Sequence, residues 1–122
     1  MSTSAQHHAI NYIEFTTSDI AQTKSFYQKV FGWSFQDWGP DYISFDKVSA
    51  GIDGGFRRGE SAANTVDKAA PLIVFYSRDL RRSEAAILNA GGKVVVPTFD
   101  FPGGKRFHFA DGTGNVLAVW SE

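Results

Sequence analysis

The chain repeats a short pattern with its residue numbers shifted by 60, and this repeat constrains the fold more than any other feature of the sequence. Phe15 to Ile20 reads FTTSDI, and Phe75 to Leu80 reads FYSRDL at the corresponding positions. Gly32 falls on Gly92 with the same shift. Solenoid proteins need at least three stacked repeats. Two copies of about 60 residues therefore predict a pair of similar modules with approximate two-fold symmetry.

Each copy contains the signals of a strand, a helix and then further strands. Ser18 or Asp19 precedes the first helical pattern and Asp79 the second, where the side chain can accept the free amides of the first turn. Glycine follows each pattern, where it ends a helix at little cost. We predict helices over residues 19–30 and 79–90. The predicted strands are 10–15, 33–35, 42–45, 51–56, 72–75, 93–96, 105–110 and 115–120. The fold class is therefore α+β, with two βαβββ modules in which a helix covers one face of each antiparallel sheet.

Composition excludes several classes of protein. Hydrophobic residues make up 43% of the chain and charged residues 20%, which is unlike a disordered protein. The formal net charge is −1 and no recognition motif is present, so we expect no nucleic-acid partner. No apolar run is long enough to span a bilayer, and the lack of cysteine excludes disulfides and thiolate metal sites. We expect a cytoplasmic protein with no membrane partner.

Two segments resemble the vicinal oxygen chelate superfamily, which contains glyoxalase I, extradiol dioxygenases and bleomycin-resistance proteins. Residues 19–33, DIAQTKSFYQKVFGW, are similar to its first helix, and residues 109–116, FADGTGNV, are similar to its Asp-Pro-Asp-Gly-Asn turn. The resemblance covers about residues 9–120. It implies a homodimer of paired or swapped modules. The length predicts one domain over residues 1–122. The repeat and a polar segment rich in small residues divide it into module one at about 9–56, a linker at about 57–69 and module two at about 70–121.

The positions at which this superfamily commonly binds a divalent metal lack suitable side chains here. The resemblance places the first-strand histidine at Tyr12, its second-module equivalent at Leu72 and the last-strand glutamate at Ala118. Leucine and alanine offer no donor atom, and a neutral tyrosine is a poor replacement for imidazole. We therefore expect no metal at these positions and no other cofactor.

Alternation along the predicted strands places polar and aromatic side chains on the sheet faces that the helices leave open. Tyr12 and Glu14 share the open face of the first strand, and Arg106 and His108 share that of residues 105–110. The other side chains expected on open faces are Tyr42, Ser44, Asp46, Val74, Tyr76, Val116, Ala118 and Trp120. The pattern predicts an aromatic-walled cleft in which Glu14 and His108 interact directly or through one water.

Three hypotheses follow from this set of side chains. The first is a small-molecule-binding protein of the glyoxalase/bleomycin-resistance type, with Arg106 or Glu14 orienting an aromatic or planar polar ligand. The rings available for stacking are those of Tyr12, Tyr42, Tyr76 and Trp120. The second is a metal-independent isomerase or lyase, in which Glu14 removes a proton next to a carbonyl and His108 or Arg106 stabilises the oxyanion. The third is a metalloenzyme with displaced ligands such as Glu14 and His108, so whether the protein is an enzyme stays open.

Ordinary structural roles compete with these hypotheses. Glu14 could equally form a structural ion pair, and a strand histidine such as His108 is more often a hydrogen-bonded wall residue. The glycine pairs at 54–55 and 103–104 do not open helices, so we interpret them as hairpins or bulges rather than phosphate loops. We interpret the remaining small basic clusters as solvated surface: Arg57, Arg58, Arg78, Arg81 and Arg82.

Overall fold

The computed structural model describes residues 7–60 and 70–122. The first module contains β1 (Tyr12–Thr17), α1 (Ile20–Phe31), β2 (Gln36–Asp37), β3 (Tyr42–Phe45), the short helix α2 (Lys47–Ala50) and β4 (Asp53–Arg58). The second contains β5 (Val74–Tyr76), α3 (Leu80–Asn89), β6 (Lys93–Phe101), β7 (Gly104–Ala110) and β8 (Val116–Ser121). These are the two predicted βαβββ modules, with α2 as an addition. Within these ranges, every helix is too short or too polar to cross a membrane.

Each module forms its own four-stranded sheet, with strand orders β1-β4-β3-β2 and β5-β8-β7-β6. The first strand of each module pairs with the last in parallel, while the remaining pairs are antiparallel. The prediction of purely antiparallel sheets is therefore wrong. The chain between the first and last strands of a module contains a helix and a hairpin, which is long enough for the crossover that parallel pairing requires.

The internal repeat extends to the hydrogen bonds at the start of each long helix. Asp19 and Asp79 are the N-caps of α1 and α3, and each accepts a hydrogen bond from the backbone amide three residues ahead, at 2.9 and 3.1 Å. A pair of hydroxyl groups also lies at equivalent positions in the two modules. These pairs are Thr17 with Thr23 at 2.5 Å and Ser77 with Ser83 at 2.7 Å. The two helices therefore begin in equivalent local settings, as the shift of 60 predicts.

The helix-covered faces of both sheets pack into one core that the two modules share. Phe15 is 8% exposed, and Phe107 and Phe109 are fully buried, as the alternation predicts. Phe31 of α1 stacks on Phe75 of β5 across the module boundary, with ring centroids 4.1 Å apart. Both open faces therefore lie on the sides of their sheets opposite to this shared core.

The turn between β7 and β8 joins the modules through a buried carboxylate. Asp111 is 1% exposed and accepts a hydrogen bond from the Tyr27 hydroxyl of α1 at 2.9 Å. It also accepts hydrogen bonds from backbone and side-chain donors of Thr113 and Asn115, at 2.8–3.3 Å. The side-chain amide of Asn115 also donates a hydrogen bond to the Thr16 carbonyl of β1, at 3.0 Å. Burial, and then the charge of Asp111, raises the pKa of Tyr27 well above its usual value, so this hydroxyl remains a donor.

Several element boundaries differ from the prediction by a few residues. Residues 33–35 are not a strand: Trp33 is buried in the core, and the short β2 begins only at residue 36. Asp46 does not extend the open face of β3 but caps α2, where it accepts a hydrogen bond from the Ser49 amide at 3.1 Å. β4 continues through Arg58, so the first two residues of the predicted linker belong to a strand. Residues 61–69 of that linker lie outside the described residues.

Candidate functional site

The open face of the first sheet contains a connected row of polar side chains. The hydroxyls of Tyr12 and Tyr42 are 2.5 Å apart, and the Tyr42 hydroxyl donates to Oε1 of Glu14 at 3.1 Å. Oε2 of Glu14 forms an ion pair with Nε of Arg57 at 3.6 Å. Burial, followed by the hydrogen bonds to Tyr12 and Glu14, raises the pKa of Tyr42, which keeps this hydroxyl protonated. We call Tyr12, Glu14, Tyr42 and Arg57 the first half-site.

Tyr42 reaches Glu14 because a glycine lies next to its ring. Gly55 of β4 is the cross-strand partner of Glu14 in regular register. A Cβ atom at Gly55 would lie 2.4 Å from the Tyr42 hydroxyl oxygen, a distance that real Cβ atoms do not tolerate. The interpretation of the 54–55 glycine pair as a hairpin or bulge is therefore wrong. Here a strand-interior glycine marks a close approach of another group.

We expect Gly55→Ala to push the Tyr42 ring away and to break its hydrogen bonds with Tyr12 and Glu14. Overpacking of this kind lowers the free energy of unfolding by about 1–3 kcal/mol, which urea denaturation measures. Gly59→Ala is the matched control, because its new Cβ meets only side-chain atoms at 3.2 and 3.3 Å. Equal stabilities for the two variants would contradict this description of the first half-site.

The open face of the second sheet contains Arg106 and the rings of Tyr76 and Trp120. The Arg106 guanidinium lies over the rings of Phe99 and Phe101, 5.2 and 5.5 Å from their centroids. Trp120 is the cross-strand partner of Arg106 and makes an edge contact with Tyr76, with centroids 5.1 Å apart. The Tyr76 hydroxyl in turn donates to Glu122. A groove of about 390 Å³ adjoins them, lined by Val74, Phe101, Pro102, Gly103, Arg106 and Trp120.

His108 lies two residues beyond Arg106 on the same face of β7 but is only 3% exposed. Its ring centroid is 5.8 Å from that of Phe99. Neither imidazole nitrogen has a hydrogen-bond partner within the described residues, and the buried Nε of Arg106 also lacks one there. Burial, and then the charge of Arg106, lowers the pKa of His108, so the imidazole is neutral at pH 7. We call Tyr76, Arg106, His108 and Trp120 the second half-site.

The predicted cleft is divided into these two half-sites within one chain. The expected direct contact between Glu14 and His108 is absent: Glu14 contacts Tyr42 and Arg57, and the His108 nitrogens have no partner in the described part of the chain. The structure thus brings Tyr12, Glu14 and Tyr42 together in one group. It brings Tyr76, Arg106 and Trp120 together in the other, with His108 beside them.

The sequence-based prediction misses one residue of the first half-site and two rings beside the second. It places Arg57 on solvated surface, although Arg57 lies in β4 and forms the ion pair of Glu14. Phe99 and Phe101 lie in the second half of β6, which the prediction ended at residue 96. The alternation Thr-Phe-Asp-Phe over residues 98–101 was the available signal for a longer strand.

The residues at the superfamily's usual ligand positions do not fit a divalent metal. Among residues 7–60 and 70–122, no three His, Asp or Glu side chains lie close enough together to hold an ion. The Tyr12 hydroxyl is already engaged by Tyr42. Ala118 is fully buried and, like Leu72, has no side-chain donor atom.

Solved structures share this arrangement of modules. The chain is similar to a variant of the fosfomycin resistance protein FosX from Listeria monocytogenes, solved with Mn(II) and 1S,2S-dihydroxypropylphosphonic acid (TM-score 0.76, 17% identity, covering 94% of this chain and 90% of that chain). It is also similar to a glyoxalase/bleomycin resistance protein/dioxygenase family enzyme from Burkholderia phytofirmans PsJN (TM-score 0.73, 17% identity, 91% and 96%). A glyoxalase-related enzyme from Fulvimarina pelagi is a third (TM-score 0.73, 18% identity, 94% and 88%). At these identities the likeness concerns the fold alone.

Sequence comparison agrees with the structural one. No curated protein sequence matches the chain. The model of the Glyoxalase/Bleomycin resistance protein/Dioxygenase superfamily matches residues 9–119, which include both modules. The chain therefore belongs to the Glyoxalase/Bleomycin resistance protein/Dioxygenase superfamily.

Proposed function

We propose that this protein binds a small molecule with an aromatic or planar polar body and does so without a divalent metal. The groove of the second half-site is the observation that supports this most directly. Its volume of about 390 Å³ lies within the range of small-molecule pockets, about 300–1,000 Å³. Its walls are mostly apolar, with one guanidinium from Arg106 and one large ring from Trp120. Such a combination suits stacking on the ring with a polar contact that fixes orientation.

The metal-free part of the proposal rests on the donor atoms. The Listeria FosX variant contains Mn(II). In this chain Leu72 and Ala118 provide no ligand atom, and the Tyr12 hydroxyl is hydrogen-bonded elsewhere. Divalent first-row metals bind proteins through oxygen, nitrogen or sulfur donor atoms. We therefore expect ligand recognition to come from rings, hydrogen bonds and the Arg106 charge.

A metal-independent isomerase or lyase is the alternative function. The hydrogen-bonded row from Tyr12 through Tyr42 to Glu14 favours it, because such a row can move a proton towards a carboxylate. Two observations favour binding instead. Glu14 is ion-paired with Arg57 at an exposed position, and it makes no contact with the proposed electrophile His108. A base in this state lacks both the desolvation and the partner that the reaction would use.

We also propose that the protein is a homodimer in which a second copy packs against the exposed edges of the two sheets. β1 and β5 are edge strands of their sheets. Exposed apolar side chains lie on or beside these edges: Ile10, Tyr12, Val74 and Tyr76. Clustered exposed apolar groups next to unpaired strand edges are typical of interfaces. Light scattering should give a mass of about twice 13.4 kDa at micromolar concentration, and a mass of 13.4 kDa would contradict the dimer.

Calorimetric titration with three probes of one shape tests the binding function: 2-naphthoate, 2-naphthamide and 2-naphthylmethylamine. We expect at least one to bind, and Trp120→Leu to weaken that binding about tenfold, since stacking contributes up to about 1.5 kcal/mol. Leu88→Ala is the control, because Leu88 is an exposed apolar residue of α3 outside both half-sites. Failure of all three probes, or equal losses in both variants, would argue against the proposed function.

A further inference from the structure

The setting of Arg106 shows which chemical group the second half-site is missing. The guanidinium is placed over Phe99 and Phe101, and no Asp or Glu of the described residues lies within ion-pair distance of it. Its Nε is buried and has no hydrogen-bond partner among those residues. Buried nitrogen donors in native proteins are nearly always satisfied. A buried donor on an unpaired cation therefore indicates an acceptor that is external to the described chain.

His108 provides a second, independent sign of an absent partner on the same face. It is 97% buried, the complement of its 3% exposure, and neither ring nitrogen has a partner in the described ranges. Because burial and Arg106 lower its pKa, the imidazole adds no second positive charge near neutral pH. The half-site thus offers one cation to a ligand. This charge matches a group with a single negative charge.

The residues that line the groove favour one class of anion over another. Five of its six lining residues are apolar or glycine, and Arg106 is the only charged one. A planar guanidinium matches the two oxygens of a carboxylate in a bidentate pair. A phosphate dianion, by comparison, would enter this apolar groove with one of its charges uncompensated. A flat organic acid satisfies both the charge and the apolar wall.

We propose that Arg106 binds the carboxylate of a planar organic acid whose ring stacks on Trp120. This inference rests on the proposed small-molecule-binding function and adds the class of ligand. The acid places its carboxylate against the guanidinium of Arg106, which lies over the rings of Phe99 and Phe101. Its apolar body lies in the groove between Val74 and Trp120.

Calorimetric titration of the full chain with 2-naphthoate, 2-naphthamide and 2-naphthyl phosphate tests this inference. We expect 2-naphthoate to bind at least tenfold more tightly than the other two probes. Arg106→Met keeps an apolar stem on the phenylalanine rings, and it should remove most of the preference for the acid over the amide. Arg106→Lys keeps the positive charge but lacks the two parallel N–H donors of the guanidinium, and it should give an intermediate preference for the acid. Lys105→Met is the matched control, because it removes one positive charge from the opposite face of β7.

Each contrary outcome points to a different failure. Equal affinities for acid and amide, or equal losses in Arg106→Met and Lys105→Met, would overturn the carboxylate assignment while leaving an aromatic-binding protein. Tighter binding of 2-naphthyl phosphate would replace the carboxylate by a phosphate. Absence of binding by every naphthyl probe would overturn both this inference and the proposed function. Circular dichroism on each variant shows that the fold is retained.

Discussion

Replacing Asp111 by alanine is expected to lower the free energy of unfolding by about 3–5 kcal/mol, the size of effect seen when one partner of a buried charged network is removed. Asp111 is 1% exposed and accepts hydrogen bonds from Tyr27, Thr113 and Asn115. The substitution leaves these buried donors without an acceptor, and each such donor is costly. Because Tyr27 belongs to the first module and Asp111 to the second, the loss also weakens the junction between them. Urea denaturation at pH 7 measures the effect.

Asp37→Ala is the matched control for this prediction. Asp37 is an exposed carboxylate that pairs with Lys24 at 3.0 Å, and an exposed ion pair contributes only about 0–1 kcal/mol. If Asp111→Ala lowers the free energy of unfolding no more than the control does, the hydrogen bonds of this turn do not stabilise the junction between the modules.

Replacing His108 by leucine is expected to raise the free energy of unfolding by about 1–3 kcal/mol, because it removes two buried nitrogens that lack partners. An apolar side chain of similar size suits a site next to Phe99. Residues retained at such a cost to stability are typical of functional sites. A destabilised His108→Leu variant would show instead that the nitrogens are satisfied in the folded protein.

The same residue predicts a dependence of stability on pH. The pKa of His108 is lowered in the folded protein, so the unfolded chain binds the proton first as the pH falls. Stability should therefore be constant above the unfolded pKa of about 6.5 and should decrease as the pH drops below it towards the folded value. His108→Leu should lose this decrease. His7→Leu, at an exposed position, should keep it, and a decrease that survives in His108→Leu would have to arise from another group.

Local patterns predicted the parts of the fold that depend on neighbours in the sequence. The N-cap aspartates, the helix-ending glycines and the alternation that buries Phe15 while exposing Glu14 all act within a few residues. The shift of 60 predicted the first strand and the helix of the second module from those of the first. The same alternation predicted which side chains group together in each half-site, except for Arg57.

The errors concern relations between residues that are far apart in the chain. Arg57 looked like surface because its partner Glu14 is on another strand, and strand pairing alone brings them together. The predicted strand stops at residue 96, although β6 continues past Pro97, which cannot donate a ladder hydrogen bond. The structure tolerates this proline because β6 is an edge strand whose register shifts on either side of Val96.

The division into two half-sites was also beyond sequence reasoning. Alternation indicates which side chains share a face of one sheet, but it contains no information on how two sheets are placed. That placement follows from the shared core, in which Phe31 of one module stacks on Phe75 of the other. The direct contact expected between Glu14 and His108 is therefore absent among the described residues, and a contact through one water stays a prediction.

We propose that this member of the superfamily recognises a small molecule through its own side chains rather than through a metal. The most direct test is a calorimetric titration of the protein, purified without a histidine tag, with 2-naphthoate before and after exhaustive chelation. We expect the same dissociation constant in both titrations. Loss of binding after chelation, with recovery on addition of Mn(II) or Zn(II), would contradict it.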